Sequence, residues 1–262
     1  MKFCFSIVIL IFCLSCKKED KYPSVQIFGH AGNGIDISSS PYQENTYEAV
    51  QYALSYNEIS GVEVDVQWSK DGTPWLYHDD DLSIQTNGSG SIHEKTDEEL
   101  SDVKYKGLNN EQLTRLADIV ELIGSKELIL DIKFLESGSQ LTQQEIQDGL
   151  SEFVDLSEGL KVSVILQNMN LGPYFQSLGW SVYLNANSTE DYFSIPQWEN
   201  STGCCISNVH IDEGGVESIR STGKKVIIFS ARAPKTIRKA LKKKPDIFFA
   251  DDIRATLIEK IR

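Results

Sequence analysis

The sequence predicts an α/β protein folded as a (β/α)8 TIM barrel, and three observations carry that prediction. Short runs rich in Val, Ile, Leu and Phe recur along the chain and alternate with amphipathic stretches of helical length. That alternation is the signature of parallel strand pairing. About eight such units follow residue 23, and a barrel of this kind usually takes about 250 residues. No Gly-x-Gly-x-x-Gly follows the first strand, which sets aside a doubly wound open sheet.

Strands are expected at residues 25–28, 62–67, 128–132, 162–166, 181–184, 204–207, 226–229 and 246–250. Each is short, apolar and β-branched or aromatic in character. Helices are expected at 46–56, 116–123, 143–156, 215–221, 234–243 and 254–261. Thr96 with Glu99 forms a capping box, and Pro234 suits a first helical position. Residues 69–115 break the rhythm, being too long for one crossover helix. There Ser69-Lys70-Asp71-Gly72-Thr73 reads as a turn, and residues 74–78 as a strand folding back in a hairpin. An insertion of that length between the second and third barrel strands is usually functional.

The 262 residues carry 25 Lys and Arg against 38 Asp and Glu, a net charge of −13. Such a balance argues against binding a phosphate backbone, so no nucleic-acid partner is expected. It also argues against adsorption to anionic lipid through a basic patch. An anionic substrate must therefore meet a metal ion or a few placed cations.

Lys2 and the apolar residues 3–14 have the length of a signal peptide and fall short of a membrane span. Leu14-Ser15-Cys16 followed by Lys17-Lys18-Glu19-Asp20 resembles a lipoprotein signal, with Cys16 as the acylated residue. The expected organisation is a signal peptide over 1–15, a tether over 16–22 and one domain over 23–262. Export follows, to a bacterial cell envelope where the lipid anchor is the sole membrane contact; the outer membrane and cell surface are among the destinations such signals serve. A monomer is expected. Of five cysteines, Cys204 and Cys205 remain inside the domain, and neighbours in sequence cannot staple a fold. They read as small apolar residues of a buried strand.

Strand side chains alternate between faces. In Gly61-Val62-Glu63-Val64-Asp65-Val66-Gln67 the valines share one face, and Glu63, Asp65 and Gln67 share the other. In Leu128-Ile129-Leu130-Asp131-Ile132-Lys133 the same device turns Asp131 and Lys133 inward. Burying ionised carboxylates without a cation costs several kcal/mol each. Three acids near the ends of different strands fit one oxygen-lined site for a hard divalent cation, Mg²⁺ or Ca²⁺. His30 ends the first strand and His78 the hairpin strand, both at the predicted mouth beside these acids. Two such histidines suit an acid/base pair. His93 reads as a solvated loop residue, and His210 follows the sixth strand within reach of the mouth.

His30-Ala31-Gly32, Glu44-Asn45-Thr46, Glu63-Val64-Asp65-Val66, Lys70-Asp71-Gly72, His78-Asp79 and Asp131-Ile132-Lys133 occur in that order. The set resembles the glycerophosphodiester phosphodiesterases, relatives of the phosphatidylinositol-specific phospholipases C. Residues 163–167 and Ala250-Asp251-Asp252 add weaker echoes of the family's fourth and closing strands. The resemblance implies a TIM barrel and a small-molecule phosphodiester substrate cleaved to glycerol phosphate and an alcohol. It implies one divalent metal held by Glu63, Asp65 and Asp131, proton transfer by His30 and His78, a phosphate contact from Lys133, and an organising role for Glu44.

The chain departs from the family where Ala31 replaces an arginine, where Asp131 replaces a glutamate, and where a tryptophan is missing from Ile228-Phe229-Ser230-Ala231-Arg232. Asn33 and Arg232, both predicted at the mouth, are placed to replace the lost arginine in part. Two other readings stand beside the enzyme. One is a non-catalytic lipoprotein that binds phosphodiesters, and the other is an enzyme for a different lipid-derived or envelope phosphodiester.

Overall fold

The structure, a computed structural model, describes residues 20–35, 40–107, 109–133 and 141–262. The expected leader and Cys16 lie outside the described residues. Among the described residues ten strands are formed: β1 Gln26–Gly29, β2 Gly61–Trp68, β3 Pro74–Leu76, β4 Thr114–Arg115, β5 Glu127–Ile132, β6 Lys161–Leu166, β7 Ser181–Ala186, β8 Gly203–Ser207, β9 Lys225–Phe229 and β10 Ile247–Ala250. Eight of them pair in parallel in the order β1-β10-β9-β8-β7-β6-β5-β2, and β1 pairs with β2 to close the cylinder. These are the eight expected barrel strands, each within a few residues of its predicted limits.

The helices are α1 Tyr47–Leu54, α2 Asp97–Ser101, α3 Val120–Ile123, α4 Gln143–Leu156, α5 Gly172–Ser177, α6 Thr189–Ser194, α7 Glu213–Ser221, α8 Pro234–Lys242 and α9 Ile253–Lys260. The capping box expected at Thr96 opens α2, and Thr142 with Glu145 forms another at α4. α5 and α6 were not expected: six residues each is too short for helical periodicity to register. The single helix expected over 116–123 is a 3-10 turn, Leu116–Ile119, running into α3.

Outward-facing strand residues such as Val62, Val64, Val66, Leu128 and Leu130 pack under the helices in the large outer core. Phe28, Ile129, Ile165, Tyr183, Cys205, Ile227, Ile247 and Phe249 fill the barrel itself. The two neighbouring cysteines therefore serve different layers, Cys204 the outer core and Cys205 the interior, and both are free thiols.

β3 returns antiparallel on β2 as expected, and β4 extends this small sheet beyond it. The hairpin strand ends at Leu76, two residues short of the predicted end. Trp75, Tyr77, Leu82, Ile92, Leu100, Val103, Tyr105 and Leu113 give the insertion a core of its own. Residues 20–22, expected within the tether, are already docked: Lys260 Nζ lies 2.7 Å from Asp20 Oδ2, and Lys21 N donates to Lys260 O. Among the described residues, no helix is long and apolar enough to cross a membrane.

Phe28 is fully buried in the barrel interior, whereas Ile258 is an exposed residue of α9. Phe28→Ala is expected to lower stability by about 3–5 kcal/mol in urea unfolding, and Ile258→Ser by less than about 0.5 kcal/mol.

Candidate active site

β2 and β5 lie side by side in parallel with Asp65 opposite Asp131. Strand alternation turns Glu63, Asp65 and Asp131 to the barrel interior, the first two from the body of β2 and Asp131 from the C-terminal end of β5. One carboxylate oxygen from each lies within 4.8 Å of the others. Glu63 and Asp65 are buried, and Asp131 is half-buried.

Each acid has built-in partners. The backbone N–H of Ala31 donates to Glu63 Oε2 at 2.8 Å. Asn45 Nδ2 donates to Asp65 Oδ2 at 2.8 Å while Asn45 Oδ1 accepts from the Asp65 N–H. Lys133 Nζ lies 2.8 Å from Asp65 Oδ1 and 2.7 Å from Asp131 Oδ2.

These contacts divide the acids. Burial pushes the Asp65 carboxyl up, but Lys133, His78 and the Asn45 amide outweigh it and hold the group below the usual range. Burial and the charges of Asp65 and Asp131 push Glu63 up to about 8, against the opposing pull of His30. Lys133 loses basicity by burial, yet the two aspartates hold its pKa well above the ordinary lysine value. The donor set is oxygen alone, clustered and over-supplied with negative charge, which fits a hard divalent cation.

His30 and His78 line the same cleft of about 370 Å³ as the three acids and Lys133. His30 Nδ1 is hydrogen-bonded to Asp251 Oδ1 at 2.6 Å, and its Nε2 lies 3.8 Å from Glu63 Oε2. The ring packs edge-on to Phe229 and is tilted against Phe249. Burial alone would lower the His30 pKa, but the Asp251 hydrogen bond and the charges of Glu63, Asp251 and Asp65 raise it to about 9. His78 Nδ1 lies 2.9 Å from Asp79 Oδ1. A carboxylate on Nδ1 fixes the ring's tautomer and leaves Nε2 for chemistry.

The other expected residues divide. Arg232 lines the cleft with its Nε 3.5 Å from Asp251 Oδ2. Asn33 does not: its Nδ2 donates to Ser40 Oγ at 2.6 Å. Glu44 is set behind His78, where its Oε1 accepts from Gln85 Nε2, which also donates to Asp79 Oδ2, both at 2.8 Å. His210 lines a separate groove with Glu190 and Asp212 and does not enter the cleft, because its loop turns toward α6 and α7. His93, expected in a solvated loop, is half-buried in a 3-10 turn, Ile92–Glu94.

Sequence reasoning assigned no role to Asp251, Asp79, Asn45, Gln85 or Asn185. The last of these lines the cleft from β7. Asp251 carried a usable signal, an acid directly after the closing strand, where a barrel places its functional groups. Its neighbour Asp252 instead caps α9 by accepting from the Ala255 N–H.

The family model of the Glycerophosphoryl diester phosphodiesterase family matches residues 30–171, more than half of the chain. The chain belongs to this family. The matched span includes both cleft histidines, the acid cluster and Lys133, and omits Arg232 and Asp251. A glycerophosphodiester phosphodiesterase of Caldanaerobacter subterraneus subsp. tengcongensis is 30% identical over 117 residues, 43% of this chain and 45% of that protein. One from Bacillus altitudinis is 33% identical over 103 residues, 37% of this chain and 40% of that protein. The chain thus spans less than half the length of the curated relatives it matches.

A phosphodiesterase from Oleispira antarctica, solved in complex with the product sn-glycerol-3-phosphate, matches with a TM-score of 0.75 and 24% identity, over 89% of this chain and 96% of that one. The glycerophosphodiester phosphodiesterase of Thermotoga maritima matches with a TM-score of 0.65 and 24% identity, over 91% of this chain and 98% of that one. These likenesses show the family's barrel fold.

Glu63, at about 8, and His30, at about 9, both hold protons more tightly in the fold than their ordinary values of 4.5 and 6.5 allow. Their contribution to stability is present at low pH and is lost as pH rises through those folded values. In chelator, the melting temperature is expected to fall between about pH 4.5 and pH 9, through Glu63 first and then through His30 as well. Millimolar Mg²⁺ or Ca²⁺ should reduce that fall, and so should Glu63→Gln. A melting temperature flat across this range in chelator would contradict the assignment.

Proposed function

We propose that the chain is a metal-dependent phosphodiesterase that hydrolyses glycerophosphodiesters to glycerol phosphate and an alcohol. The observation carrying this reading is the convergence of two imidazoles and a three-carboxylate cluster in one cleft, each imidazole having a carboxylate of its own. Family membership supports the same reading.

Glu63, Asp65 and Asp131 hold one divalent cation, Mg²⁺ or Ca²⁺. When bound, it supplies Lewis-acid stabilisation of the charge that builds on the phosphoryl oxygens. Lys133 adds a second positive charge beside them. One of His30 and His78 removes the proton from the attacking hydroxyl, and the other protonates the departing alcohol oxygen as its bond to phosphorus breaks. The attacking group is water, acting directly or after the substrate's own glycerol hydroxyl has closed a cyclic phosphate. Asp251 and Asp79 hold the two rings. Glu44 supports Asp79 through Gln85.

We further propose that the mature chain is exported with Cys16 acylated. Incorporation of labelled palmitate in the bacterial host is expected for the wild type and not for Cys16→Ser.

The enzymatic reading is tested by turnover of glycerophosphocholine with Mg²⁺ or Ca²⁺. His30→Ala and His78→Ala are each expected to lower kcat by at least ~100-fold, and kcat/KM should follow a bell-shaped pH profile. Full turnover by His30→Ala would end this reading. An inactive wild type that still binds the substrate in calorimetry would make the protein a phosphodiester binder.

A further inference from the structure

The floor of the cleft is acidic, whereas a phosphodiester is an anion. Among the described lining residues, the permanent cations are Lys133 and Arg232. Lys133 already lies between Asp65 and Asp131. On the opposite side, around His30, the loop after β1 brings no cation: Ala31 is buried and Asn33 is bonded to Ser40.

Arg232 reaches that side from the end of β9, which β10 alone separates from β1 in the cylinder. β9 ends at Phe229, and Ser230 then takes a left-handed conformation with φ 62°, which turns the chain over the rim. The Arg232 side chain is 50% exposed, and its Nε lies 3.5 Å from Asp251 Oδ2. The other oxygen of that carboxylate holds His30 Nδ1. A guanidinium has five donors in a planar fork, enough to hold a carboxylate and an anionic substrate together.

We propose that Arg232 is the substrate-binding arginine of this chain. Its guanidinium grips the non-bridging phosphoryl oxygens of the phosphodiester and sets the anion beside His30. The grip therefore comes from the end of β9 rather than from the loop after β1. This assignment rests on the phosphodiesterase reading above.

The test compares the mature protein with its Arg232→Met, Arg232→Lys and Asp251→Asn variants, using glycerophosphocholine as substrate and inorganic phosphate as a competing anion. Losing a charge-assisted contact should raise KM and the phosphate inhibition constant of Arg232→Met by at least ~10-fold, with kcat changing less. Arg232→Lys should recover part of both. Asp251→Asn should instead lower kcat and leave the phosphate constant near that of the wild type, because Asp251 positions His30.

Unchanged KM and phosphate inhibition in an active Arg232→Met would overturn the assignment. So would a kcat loss matching that of Asp251→Asn, which would make Arg232 a support for Asp251 alone. Calorimetry with phosphate needs no turnover, so an inactive wild type would refute the enzymatic reading while this measurement still decides on Arg232.

Discussion

Three carboxylates confined within 4.8 Å of one another at a buried rim set the constraint that the rest of the structure answers. At that spacing each pair of ionised groups repels by about 3–4 kcal/mol, even with an effective dielectric constant near 20. Hydrogen bonds to neutral groups reduce that repulsion but do not cancel it. The rim must therefore be supplied with positive charge and fixed N–H donors. Lys133, His30, the Asn45 amide and the Ala31 N–H are the answers within the protein. On the function proposed above, a divalent cation would complete them.

The backbone gives up ordinary geometry to bring these donors in. Ala31 and Asn45 both adopt left-handed conformations, with φ of 47° and 57°. Asn tolerates that region better than most residues, whereas Ala does so at a cost. Asn45 N donates to Ala31 O, and Gly32 N to Glu63 O, so the two turns brace each other against β2. Gly29 makes this return possible: a Cβ there would lie 1.9 Å from the Gly32 carbonyl oxygen. The short motif around His30 is thus a tight folded-back loop whose main purpose is to aim one N–H at Glu63 and one imidazole at the cleft.

Whatever depends on strand alternation was legible in the sequence. Alternation is local, so Glu63, Asp65, Asp131 and Lys133 could be assigned to one face from a few residues on either side. Strand ends placed His30 and His78 at the mouth for the same reason. What depends on closure of the barrel was not legible. Asp251 meets His30 across 221 residues of sequence, through the pairing of β1 with β10. Asn33 and Arg232 looked equivalent as replacements for a missing cation, since nothing in the sequence shows that Ser40 captures one of them. His210 sits at a strand end like the others, but its loop leads into a different groove.

The two imidazoles are consequently held by different parts of the molecule. His30 depends on the cylinder itself: its ring is only 13% exposed, and its carboxylate partner arrives with the last barrel strand. His78 depends on the insertion, where its side chain is 41% exposed and its partner Asp79 is the next residue in the chain. Gln85 ties Asp79 to Glu44, so the insertion is joined to the loop after β1 at the point where His78 must be fixed. A small separate core beneath Tyr77 and Leu82 holds that segment in shape. Loosening the insertion would therefore disturb one of the two cleft imidazoles and leave the acid cluster, set by β2 and β5, where it is. The long interval between these two strands thus carries a second imidazole to a rim whose own strands are already committed to the acids.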